Sequence, residues 1–414
     1  MNARLFTAAV LLAACTASAT DRVVEEFGIS PTYPNITAAV TAAVDGDRIV
    51  IKDRAGSIPW IEDITVSKSL QFLSYANNSF FTVQGLYQVV AAPGREVTFI
   101  GMKNTNGTIQ FSGGSGAIRQ TRVRIIDCLL VIGNINFDSD YYDTDVMGCT
   151  LQSGYVVIGF GNVIGSDINA GSTTHSGLEV SPSSGIFQND TCWITGNKVI
   201  GPGTSFYDAL FVYGTAQVYH IRNNYVKHGY KGISIYAGNG NSIQNTVWNN
   251  TVEAYTGTFS NYGIILANTN AGSIWEAMNN VVTFTGGAAQ NGIIKDSGNN
   301  GQINVYFNHI APGMSTAVST GFTFASNNTS TSTIRLDAEG SLSSAPSAIN
   351  GGHSSSVFSD LALSAGDAGA YGGSYTLVNY FPLHTGAARI GHVVYPFNVR
   401  QGSTLRVKAT SFDR

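Results

Sequence analysis

Charge is what this chain has least of. Only 12% of its 414 residues are charged, against about a quarter in ordinary soluble domains. Its 22 Lys and Arg against 26 Asp and Glu leave a net charge of −4. Duplex nucleic acid is bound by clustered cations that displace counterions, so no nucleic acid partner is expected. Proline is scarce too, at 10 residues. Beyond the first twenty positions no segment reaches the roughly 18 apolar residues of a membrane-spanning helix, and no transmembrane segment is expected. Four cysteines occur, at 15, 128, 149 and 192, without the C-x-x-C spacing of zinc or redox sites. The last three read as small buried side chains. In abundance are Gly, 47 residues, and Asn, 34 residues. Gly without a G-X-Y period excludes collagen, and 43% apolar residues are too many for a disordered chain.

Residues 1–19 have the form of a secretory signal peptide: Arg4, the apolar run Leu5 to Ala14, and Ala17-Ser18-Ala19 as an A-x-A cleavage site. Leu12-Ala13-Ala14-Cys15 also resembles the bacterial lipobox, in which the Cys is lipidated. Both readings stand, and both predict export, either as a secreted, periplasmic or outer-surface protein or tethered by lipid through Cys15.

A phrase recurs through the middle of the chain: an apolar residue, two variable positions, Asn, one variable position, then Val or Ile. Copies are Ile194–Val199, Ile221–Val226, Val247–Val252, Ala277–Val282 and Val305–Ile310, with the Asn at 197, 224, 250, 280 and 308. The spacings are 27, 26, 30 and 28 residues. Upstream the same slot falls on Ser166, Cys149 and Cys128. A second phrase interleaves with it, a short alternating strand opened by Gly or Ala: 176–180, 208–212, 231–235, 262–266, 291–295 and 320–324. Three strands per period of this length predict the coils of a solenoid. Equivalent residues of successive coils then stack one strand spacing apart, about 4.8 Å, and the Asn side chains hydrogen-bond along a ladder.

These features resemble the right-handed parallel β-helix superfamily typified by pectate lyases. The resemblance covers roughly residues 30–375 and implies an all-β fold. The segment Pro34 to Val44 reads as the short amphipathic helix that caps the first coil. Three parts are expected: the signal at 1–19, the β-helix over 28–375, and a C-terminal extension over 376–414. Asp360 to Gly373 resembles the D-x-x-x-S-x-x-D-x-GAYGG phrase that closes many bacterial β-helix proteins. Tyr395 to Ala409 reads as a β-hairpin, similar to the first strands of a bacterial immunoglobulin-like module that the chain is too short to complete.

The resemblance places substrate on the outer face of the Gly-phrase strands. Alternation sends Leu178, Val180, Leu210, Val212, Ile233 and Ile235 inward and leaves three outward columns. These run Ser176, Asp208, Lys231, Tyr262, Asn291; then Glu179, Phe211, Ser234, Ile265, Ile294; then Ser181, Tyr213, Tyr236, Ala267, Asp296. Rings beside carboxylates and an amine suit a sugar chain, so a polysaccharide or cell-surface glycan is the expected partner of a monomer. The plainer reading is a surface ion pair of small value among aromatics that commonly decorate strands. A lyase would need a base and a cation. Lys231 is the candidate base, with Asp208 beside it, and Glu179, Phe211, Tyr213, His228, Tyr236, Tyr262 and Asp296 are candidate substrate contacts. No polygalacturonase-like N-x-D, D-D, G-H-G and R-I-K set occurs in order. Ca²⁺ is the one cofactor raised, through the acidic stretch Asp138, Asp140, Asp143 and Asp145, for which a solvated loop is the alternative. A non-catalytic structural or adhesive protein is the competing function.

Overall fold

Each strand of a coil pairs with its equivalent one coil away. A computed structural model describes residues 19–113, 121–394 and 404–413. It omits 172, 183–189, 204–205, 215–216, 239, 241, 255–260, 268–270, 285–289, 297, 299–300, 345–346, 356–357, 361–363, 374, 382–387 and 405–406. The signal segment and Cys15 therefore lie outside the described residues.

Three sheets run the length of the molecule. Among the described residues sheet A has 13 strands, from Asp21–Val24 to Phe324–Ser326; sheet B has 11, from Trp60–Ile61 to His309–Ile310; and sheet C, which carries the Gly phrases, has 11, from Ile64–Val66 to Thr316–Val318. All pairs within them are parallel, as in Ile221↔Val247, Val226↔Val252 and Ile233↔Ile264. The chain is a right-handed parallel β-helix with three strands per coil. Its core is one continuous column: Leu178, Val180, Leu210, Val212, Ile233, Ile235, Ile264 and Leu266 are all fully buried. Each such side chain contributes about 1.5–3 kcal/mol.

The A–B corner is a single left-handed residue followed by the stacked slot. Asn223, Asn249 and Asn279 take φ of 51°, 54° and 55°, a conformation that Asn tolerates. The next residue enters the ladder. Asn197 Nδ2 donates to Asn224 Oδ1 at 2.9 Å, and the same bond repeats from Asn224 to Asn250, Asn250 to Asn280 and Asn280 to Asn308. Asn328 is one rung beyond the five expected. Ser166 continues the column, its N–H donating to Asn197 Oδ1, and Cys128 and Cys149 are buried free thiols in the same slot.

The first coil is closed by a helix, Ile36–Ala42. Asn35 Oδ1 accepts from Ala38 N at 2.7 Å, and Glu62 accepts from Ile36 N and Thr37 N. Ile36, Ala39 and Val40 are buried against the first coil, so the cap covers the open end of the core. Among the described residues no helix is long and apolar enough to cross a membrane.

Three boundaries differ from the sequence reading. The first coil strand begins at Asp21, ahead of position 28, because Asp21–Val24 pairs with Arg48–Ile51. The stretch 320–324 is not a sixth Gly strand. Sheet C ends with Thr316–Val318, Gly321 sits in a turn at φ 85°, and Phe324–Ser326 returns to sheet A. Among the described residues the chain after Ser326 adds no further strand to the three sheets; it runs back along the A–B corner toward the N-terminus. His353 N donates to Asn279 Oδ1, Asn249 Nδ2 to Asp367 O, and Asn223 Nδ2 to Ala370 O and Gly372 O. Asp360 Oδ1 ties that segment together by accepting from Asp367 N and Gly373 N. Farther on, the Tyr380 ring lies over Gly165 and Gly196, where a Cβ would stand 2.7 and 2.2 Å from it. An antiparallel pair, Ala388–Val394 with Lys408–Asp413, ends the described chain. Of the expected hairpin at 395–409, residues 395–403 and 405–406 lie outside the described residues.

Candidate functional site

Sheet C owes its shape to the Gly slot. A Cβ on Gly232 would stand 2.3 Å from Val252 Cγ1, and one on Gly263 2.3 Å from Val282 Cγ1. The slot therefore points inward against sheet B: at 232 and 263 only Gly fits, while one coil earlier Ala209 fills the same slot, fully buried. Two successive residues, such as Gly232 and Ile233, then face the core. The residue before them, Asp208 or Lys231, is thrown to the outer wall together with the third and fifth residues after it.

The outward columns fall in the expected register. Asp208 pairs with Lys231, Lys231 with Tyr262, and Tyr262 with Asn291; Glu179 pairs with Phe211, and Tyr213 with Tyr236. Phe211 and Tyr213 lie 6.3 Å apart at 19°, and Phe211 and Tyr236 5.7 Å apart at 53°. Tyr213 is 51% exposed. A second row of rings, not anticipated from the sequence, flanks the charged column where the chain enters each sheet C strand. There His175 lies 4.3 Å from Tyr155 and 6.2 Å from Tyr207, with Phe206 82% exposed beside them and Tyr230 one coil on. The signal for this row was an aromatic or His directly before the Gly phrase at 175, 207 and 230. Asp296 follows directly on its sheet C strand, half-buried, its N–H donating to Leu266 O.

Asp208 and Lys231 differ in how burial and their mutual charge act on them. Asp208 is only 7% exposed. Burial raises its pKa to about 6, while the Lys231 charge and the Ser234 hydroxyl pull the other way. Burial works against the Lys231 ammonium, yet Asp208 and then Tyr236 more than offset it and raise its pKa. Lys231 Nζ donates to Tyr236 Oη at 3.3 Å and lies 5.1 Å from the Tyr230 ring centre. A raised pKa keeps the Lys231 ammonium protonated at neutral pH, which weighs against it as a base and makes it the cation that faces Asp208. The group that titrates in the useful range is Asp208. Glu179 is raised as well, first by burial and then by Asp138 and Asp208, with Ser181 opposing.

Two further expectations are corrected. His228 is 1% exposed: alternation in sheet B turns it inward with Val226, burial lowers its pKa to about 3, and it cannot touch a ligand on the outer wall. The four aspartates 138–145 do not converge. Asp138 accepts from Ser181 Oγ at 3.1 Å, beside sheet C. Asp143 and Asp145 belong to sheet A, where Asp145 is held by Arg122 Nη2 at 3.0 Å and Asn162 Nδ2 at 2.7 Å. Asp140 is buried between the two strands. Among the described residues no group of three or more His, Cys, Asp or Glu side chains is placed to hold a metal ion.

No family model matches the chain, and no curated protein matches it. Among solved structures it is similar to pectate lyase Pel9A, at 15% identity and a TM-score of 0.41, over 88% of this chain and 98% of that one. It is also similar to the Dettilon tailspike protein (gp208), at 13% identity and a TM-score of 0.30, over 75% of this chain and 72% of that one.

Proposed function

We propose that this protein binds a polysaccharide lengthwise along the outer wall of sheet C. The observation that carries the reading is the pair of ring rows, Phe211, Tyr213 and Tyr236 on one side and Tyr155, His175 and Tyr207 on the other. Between them runs the polar column Asp208, Lys231, Tyr262 and Asn291. Sugar C–H faces stack on rings while hydroxyls bond the polar groups between them, and a wall whose coils repeat about every 4.8 Å presents such groups at regular intervals. Calorimetry with a panel of soluble polysaccharides tests the reading. Binding that is lost in Phe211→Ala/Tyr236→Ala supports it, and no binding to any of the panel leaves the structural or adhesive role.

One observation favours cleavage as a second reading. A carboxyl at about 6 can hand a proton to a glycosidic oxygen near neutral pH, and Glu179 on the neighbouring strand supplies the second carboxylate that glycoside hydrolysis uses. New reducing ends without a rise in absorbance near 235 nm identify hydrolysis. A rise at 235 nm identifies β-elimination, which the protonated Lys231 does not support as base. Asp208→Asn removes either activity if Asp208 carries the proton. Export belongs to the same reading. N-terminal sequencing of the secreted protein and fatty-acid labelling separate cleavage after Ala19 from lipidation at Cys15.

A further inference from the structure

The charge on the sheet C wall bears on which polysaccharide fits it. Between residues 125 and 334 the only Lys and Arg are Lys198, Arg222, Lys227, Lys231 and Lys295. Three of these lie on the other two sheets, and the fourth, Lys295, ends a sheet C strand two coils from Lys231. Lys198 pairs with Glu339, and Lys227 with Glu253 at 3.3 Å. Arg222 lies on sheet A, 4.2 Å from the Trp248 ring centre, and Lys295 donates to Gly321 O at 2.6 Å. Among the described residues Lys231 is left as the cation beside the ring rows, and it already faces Asp208. Against it stand Asp138, Glu179 and Asp208, close enough that the first and last of these both act on Glu179.

A chain of uronic acids places a carboxylate on every sugar, and one ammonium cannot neutralise a run of them beside three carboxylates. Like charges brought together at an interface oppose association and slow encounter. Ring stacking carries no such penalty for an uncharged sugar, and an amine on the sugar gains from the same carboxylates. Resting on the reading that sheet C binds a polysaccharide, we infer that its ligand is a glycan without acid groups, uncharged or amine-bearing, and that polyuronates are turned away.

The test is affinity measured at low salt, by calorimetry or gel retardation, for three sets of soluble polymers. These are uncharged β-glucans and mannans, a glucosamine polymer, and polygalacturonate with alginate. The expected order is amine-bearing, then uncharged, then uronate, with the uronates at least about tenfold weaker than the best uncharged chain and the gap narrowing in high salt. Asp138→Asn narrows the same gap at low salt while leaving uncharged binding in place. Uronate affinity equal to or above that of the uncharged polymers overturns the inference but keeps the polysaccharide reading. Failure of all three sets overturns that reading itself.

Discussion

Sheet A and sheet C both carry aromatic rings on their outer walls, and the chain treats the two walls oppositely. On sheet A, Trp193 and Trp248 bracket the Arg222 guanidinium at 5.2 and 4.2 Å, and Tyr375 from the returning tail lies 5.9 Å from it. Phe358, also from the tail, meets Trp248 edge-on at 5.1 Å. Arg222 is left 3% exposed, and the outward-facing Ile164, Thr195 and Met278 are buried. Rings on that wall glue the chain to itself. On sheet C the rings stand beside carboxylates and an amine, and Tyr213 keeps half its surface in solvent. The contrast shows that an aromatic on a β-helix wall is not by itself a sign of a binding site. What matters is whether the chain's own tail has taken it.

The comparison can be broken in four ways, in falling order of effect. Trp248→Ala should cost about 3–5 kcal/mol of stability, read from the denaturant midpoint, and leave glycan affinity unchanged; lost affinity at unchanged stability would reverse the roles of the two walls. Asp208→Asn sharpens the electrostatic side. Because the folded state raises this carboxyl from 3.8 to about 6, the native protein holds the proton that the unfolded chain loses, and stability falls as pH rises between those values. At 1.36 kcal/mol per unit the variant should match the wild type below pH 4 and gain up to about 3 kcal/mol above pH 6, and a pH-independent difference would contradict the assignment. Asn223→Gly keeps the left-handed corner but removes the two bonds to Ala370 O and Gly372 O. A loss of about 1–3 kcal/mol and faster proteolysis within 350–380 are expected, whereas an unchanged cleavage pattern would detach the tail from the corner. Tyr213→Ala should change stability by less than about 0.5 kcal/mol while weakening glycan binding several-fold.

Much of this was legible because a solenoid stacks what it repeats. The Asn slot and the Gly phrase recur at one period, so the ladder, the three sheets and the register of Asp208 with Lys231 could be read from spacing alone. The tail could not, since 330–380 has no repeat and its partners are the first Asn of each Asn-Asn pair, which looks like a second copy of the ladder residue. The same doublet hid the last rung: Asn327-Asn328 follows a stretch mistaken for a Gly strand. His228 was expected among the substrate contacts, although the alternation that buries Val226 also buries it. Lys231 is the candidate base because it is nearly alone among cations on the face. Its proton is held by Asp208 and Tyr236, and that emerges only when the two are weighed against its burial.

The most direct test of the central claim is calorimetric titration of one tight-binding soluble polysaccharide into wild type, Phe211→Ala/Tyr236→Ala and Trp193→Ala. The account predicts that the sheet C variant loses affinity at least about tenfold with its melting temperature nearly unchanged, while the sheet A variant melts lower and binds as wild type. Equal affinity in the wild type and the sheet C variant would contradict it.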